Sequence, residues 1–87
     1  MDWDTSIAFD PVVLFIKGGS KRVIVRTAQE AANALIKDWP SNDGEEYFAA
    51  MRACVGVMVG NATPRQLRDA IVKAAGEVGV TVVAVVH

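Results

Sequence analysis

Eighty-seven residues furnish one hydrophobic core and little more, so the chain reads as a single domain over residues 1–87. With 52% hydrophobic residues and a mean hydropathy of +0.26 it is more apolar than a small domain requires, which points to apolar surface shared with another chain. A formal net charge of -1 excludes a global field toward nucleic acid or anionic membrane, and no apolar run reaches the roughly 18 residues of a membrane span.

The chain opens with MDWDTSIAFD, in which Trp3, Thr5, Ile7 and Phe9 alternate with Asp2, Asp4, Ser6 and Ala8. A period of two predicts an extended arm over residues 1–10, lying along a sheet edge or over a sheet face. Its acidic start lacks the basic and continuous apolar regions of a secretory signal, and a cytoplasmic location is expected. Asp2, Asp4 and Asp10 lack the glycine turn and distal glutamate of a calcium loop, so no metal is expected there. After Pro11, residues 12–16 (VVLFI) are dense in β-branched and aromatic side chains and predict a strand. Residues 17–21 (KGGSK) form a turn, and residues 22–26 (RVIVR) the returning strand. Lys17, Lys21 and Arg22 surround the glycines and are candidate anion contacts. A phosphate loop, however, runs from strand into helix, and here strand meets strand, so a solvated hairpin tip is the stronger reading.

Thr27 can cap a helix by accepting from the amide of Glu30 while that carboxylate reaches back. Ala28, Ala31, Ala32, Leu35, Ile36 and Trp39 form its apolar face, and Pro40 stops it. Trp39 is expected to plug the junction with the next helix. Asn42 or Asp43 is expected to cap that second helix, residues 45–60 (EEYFAAMRACVGVMVG). Tyr47, Met51, Cys54 and Met58 lie on one of its sides and Phe48, Val55 and Val59 on another, so it reads as a central helix packed on more than one side. Thr63-Pro64-Arg65-Gln66 then combines a threonine cap, a proline at the first helical position and a glutamine that closes a capping box. Leu67, Ala70, Ile71, Ala74, Ala75 and Val78 face inward, while Arg65, Asp69, Lys73 and Glu77 alternate in sign four apart on the outer side. Gly79 ends this helix, and the valine-rich residues 80–86 predict a strand buried on both faces. Short connections that each reverse direction give an α+β domain, β-β-α-α-α-β. Its three-stranded antiparallel sheet has the first strand central and the three helices on one face.

The succession Trp39-Pro40, Gly44, Tyr47, Ala50, Cys54 and Gly60, with Pro11-Val12, Glu30-Ala31, Ala70, Ala74-Ala75 and Gly79, resembles the family called domain of unknown function 982. The likeness spans residues 11–80. It implies a compact α/β domain and an alphaproteobacterial source, since the family is found largely in rhizobia and their relatives, and it implies no activity.

No acid/base pair, nucleophile with a partner, metal cluster or cofactor motif stands out, so the chain is expected to be non-enzymatic and to hold no cofactor. Cys54 has no disulfide partner and sits among apolar neighbours as a buried thiol would. The leading expectation is a homodimeric protein-interaction or adaptor module. Its self-association face is Val13, Phe15, Val83 and Val85, which alternate with the side chains that meet the helices. The alternative is a nucleic-acid-binding regulator in which residues 45–78 form a helix-turn-helix that offers Arg65, Gln66, Arg68 and Lys73 to a groove.

Overall fold

A computed structural model describes residues 8–16 and 18–84, with side chains for residues 11–16 and 18–83. Strands β1 (Ala8–Ile16) and β2 (Lys21–Thr27) precede helices α1 (Ala28–Lys37), α2 (Glu45–Val59) and α3 (Pro64–Val78), and β3 (Thr81–Ala84) closes the series. The sheet order is β2-β1-β3 with both pairings antiparallel, as the short reversing connections require. The architecture is therefore the α+β arrangement expected from the sequence, with the first strand in the centre.

β1 is longer than the predicted strand because Ala8–Asp10 extend it, while residues 1–7 of the expected arm lie outside the described residues. Between Ala8 and Val12 the β1–β2 register shifts. Pro11 falls within this irregular step; it has no amide to give to a ladder, and prolines in central strands are confined to such irregularities. At the other end Gly18 and Gly19 turn the hairpin with φ of 67° and 89°, values at which a Cβ would be strained. β3 starts one residue later than predicted, Val80 being buried just ahead of it, and residues 85–87 lie outside the described residues.

Strand alternation sends Val12, Leu14, Ile16 and Val25 into the core, each no more than 1% exposed. Leu35 of α1, Ala50, Cys54 and Val57 of α2, and Leu67, Ile71 and Ala74 of α3 complete it. The backbone of α1 approaches β2 and that of α3 approaches β1 and β3. α2 lies chiefly against α1 and α3. Tyr47 ties two of these elements together, its hydroxyl donating to the carbonyl of Leu35 at 3.1 Å inside the core. Trp39 packs part-buried against the same core beyond the end of α1.

Three details of the helices differ from expectation. First, α1 ends at Lys37, with Asp38 as C-cap, because Pro40 disfavours helical backbone at Trp39 before it. In its final turn Ala34 and Leu35 face the core, whereas Ile36 is 64% exposed. The Glu30 carboxylate reaches back to the amide of Arg26 at 2.9 Å, one residue earlier than in a reciprocal capping box. Second, α2 is packed on one side only. Its second apolar side, Phe48, Val55 and Val59, is 50%, 56% and 44% exposed. Third, neither Asn42 nor Asp43 caps α2. Gly44 is the N-cap and makes no side-chain bond. The cap arrives from α3: Glu77 Oε2 accepts from the amide of Glu46 at 3.2 Å and Oε1 from that of Tyr47 at 3.4 Å. A carboxylate there satisfies orphan amides and meets the positive end of the helix dipole. Glu77 thus serves α2 instead of the charge ladder along α3.

Thr63 and Gln66 form the complete capping box read from the sequence, at 3.1 Å and 2.8 Å. Gly60 and Gly79 end α2 and α3 in the left-handed conformation.

Candidate functional site

Among the described residues two apolar surface areas stand out, one on the outer side of the sheet and one on α2. On the sheet the pairings Val13↔Ile24 and Val13↔Val83 place three side chains in one row across β2, β1 and β3, with Cβ atoms of direct neighbours about 5 Å apart. The next row is Arg22, Phe15 and Thr81. Ile24 and Val83 are 45% and 48% exposed, and Val13 and Phe15 are half-buried between their neighbours. Three of the four residues expected to form a self-association face therefore do lie together. The fourth, Val85, lies outside the described residues. Ile24 belongs to the face and was missed, although the alternation within RVIVR places it opposite the buried Val25.

On α2 a shallow groove of about 740 Å³ runs beside the exposed stripe. Small side chains (Ala49, Ala53, Gly56 and Ala62), larger apolar ones (Met51, Val55 and Val59) and the polar Asn61 and Gln66 line it. A Cβ added to Gly56 would come within 2.9 Å of the Ala62 Cβ, so glycine is what lets the turn after α2 lie close to the helix. Arg52 is the one charged residue lining the groove. It is exposed, and among the described residues it forms no ion pair.

Of the six basic residues considered for anions or nucleic acid, Lys21 and Arg22 lie on β2 and Arg65, Arg68 and Lys73 on α3, so the described ones are split between two elements. Lys17 lies outside the described residues. Lys21 donates to Asp38 Oδ1 at 2.6 Å, which ties the hairpin to the end of α1. Arg22 is exposed on β2, Arg65 is exposed in the first turn of α3, and Arg68 is half-buried with its Nε enclosed and without a hydrogen-bond partner. The α2–α3 pair is also unlike the expected helix-turn-helix. Glu77 at the end of α3 caps the start of α2, so the two helices lie side by side and antiparallel over their whole length, whereas a helix-turn-helix splays its helices at roughly 90–120°.

Cys54 is 1% exposed, and loss of solvent on burial pushes its thiol from 9.0 up to about 11, against a smaller lowering by a backbone hydrogen bond. A thiol in that state is a poor nucleophile at neutral pH. Among the described residues no three histidine, cysteine, aspartate or glutamate side chains are grouped to hold a metal, and no helix is long and apolar enough to cross a membrane.

Residues 10–82 match the model of the family described as "Protein of unknown function (DUF982)". The chain belongs to this family. The match runs from the last residue of the expected arm into β3, so the DUF982 domain is the sheet and its three helices together. No curated protein and no solved structure matches the chain.

Proposed function

We propose that this DUF982 protein is a non-enzymatic interaction module that acts as a homodimer, two copies meeting through the outer faces of their sheets. The observation that supports this reading is the continuous row Ile24, Val13, Val83, extended by Phe15, on the side of the sheet opposite the three helices. Covering such a row with the same row of a second copy removes it from water. Twofold pairing is the commonest way proteins do so, and sheets stack readily at about 10 Å. The buried, unactivated Cys54 supports a binding role over a thiol-based activity.

Sedimentation of the wild type and of Val83→Asp at tens of micromolar tests the reading. Val83 is half exposed in the single chain, so the aspartate is tolerated by the fold and its charge acts on the association. A wild-type dimer that becomes a folded monomer in the variant is the expected result. A wild-type monomer, or a dimer indifferent to Val83→Asp, overturns it.

A further inference from the structure

We infer that the twofold axis of the dimer runs along β1, so that β2 of one copy lies over β3 of the other; this rests on the face-to-face pairing proposed above. Sheets stacked in alignment keep their strands within about 30° of each other, and a twofold axis relating two stacked sheets lies in the plane between them. Such an axis runs either nearly along the strands or nearly across them. The side chains of the outer face decide between the two.

The four apolar side chains form a T. Its crossbar is the row Ile24, Val13, Val83 across β2, β1 and β3, and its stem is Phe15, which stands between Arg22 and Thr81 in the next row. The one line that carries every apolar position of this T onto another is β1. With the axis along it, Val13 and Phe15 each meet their own equivalents and Ile24 meets the partner's Val83. Arg22 then lies over the partner's Thr81, whose hydroxyl can accept from it at the open margin of the stack.

An axis across the strands does worse in either register. Centred on the Val13 row, it sets Phe15 over the partner's Pro11 and Arg22 over the partner's Arg26, the next outward residue of β2 beyond Ile24. Glu30, 3.7 Å from Arg26, offsets only one charge of each such pair. Centred between Val13 and Phe15, the axis lays Ile24 over the partner's Arg22 and covers a charge with an apolar side chain. Among the described side chains of the outer face the charged ones, Arg22 and Arg26, are both on β2, whereas Thr81 and Val83 of β3 are uncharged. β2 over β3 therefore keeps two arginines on each margin of the dimer, where β2 over β2 would mass four on one.

Disulfide trapping reads the axis, because two stacked sheets are bridged only where the cysteines lie over each other, with Cα atoms within about 7 Å. Ile24→Cys and Val83→Cys replace half-exposed side chains, which the fold tolerates, and the native Cys54 is buried and does not compete. The variants are mixed, left to exchange and treated with oxidised glutathione. The mixture is expected to link Ile24→Cys to Val83→Cys, each of these alone to stay unlinked, and Val13→Cys, on the axis, to link to itself. Self-linking of Ile24→Cys or Val83→Cys at the rate of the mixture overturns the inference and leaves the face-to-face reading standing. So does self-linking of Val13→Cys without the mixed product, which means crossed sheets. A wild-type monomer, or a dimer in which none of the three positions links, overturns both.

Discussion

Gly44 and Glu77 are 33 residues apart in sequence but form one unit in space, and a double-mutant cycle measures it. Gly44 has φ -82° and ψ 151°, a conformation open to alanine without backbone strain. A Cβ on Gly44, however, would overlap Glu77 Oε1 and come within 2.5 Å of its Cδ. The Glu77 side chain is exposed and flexible, so Gly44→Ala does not break the fold but swings the carboxylate away from the amides of Glu46 and Tyr47. The cost is that of the lost cap. Helix caps contribute about 0.5–2 kcal/mol, and the length of these two bonds puts this one near the middle, about 1 kcal/mol. Glu77→Ala alone should cost the same. In the Glu77→Ala background Gly44→Ala should be close to neutral, since nothing remains to displace and alanine lowers the entropy of the unfolded chain. Thermal unfolding of the four proteins, followed by circular dichroism, should show each single variant about 4–8 °C below wild type and the double variant no lower than either. Additive losses would refute the idea that Gly44 is small in order to admit Glu77.

Three further outcomes follow from the core and the helix ends. Cys54→Ala should cost about 1 kcal/mol for a small buried group. Because folding raises the thiol above its unfolded value of 9.0 to about 11, the folded state holds the proton more tightly, and stability should fall as pH rises from about 9 toward about 11. Comparing urea midpoints of wild type and Cys54→Ala across that window isolates the slope, which the alanine variant should lack. Tyr47→Phe leaves the Leu35 carbonyl without its buried donor and should cost about 1 kcal/mol by chemical denaturation. Glycines of α3 should respond with opposite sign. Gly79→Ala forces a side chain to φ 75° and should lower the melting temperature, whereas Gly76→Ala, inside the helix with open space around it, should raise stability by about 0.5–1 kcal/mol.

The features read correctly from the sequence are those whose causes are local. Thr63 and Gln66 sit three apart, so a capping box needs nothing beyond its own turn, and Gly60 and Gly79 end helices through their own backbone freedom. The sheet order followed from short connections that leave little choice of direction. What was misread depends on elements distant in the chain. Glu77 looked like one rung of an α3 ladder because its partners, the first amides of α2, are 30 and 31 residues away. Phe48, Val55 and Val59 read as packing positions because helical periodicity reports that a side is apolar, and not whether anything covers it. Ile36 is next to the buried Ala34 and Leu35 in sequence, but it falls about 100° round the helix from Leu35 and is exposed. Ile24 was legible in the alternation of β2, yet it gains meaning only through the register that sets it beside Val13.

The central claim is that Val13, Phe15, Ile24 and Val83 of one copy lie against the same residues of another. The most direct measurement is an isotope-filtered NOE spectrum on a sample mixing ¹³C-labelled and unlabelled chains, which reports only contacts between copies. Intermolecular cross-peaks linking the Phe15 ring to the methyl groups of Ile24, Val13 and Val83 are expected. A spectrum without intermolecular peaks at a concentration where the protein is dimeric, or one whose peaks connect Phe48 and Val55 instead, would contradict it.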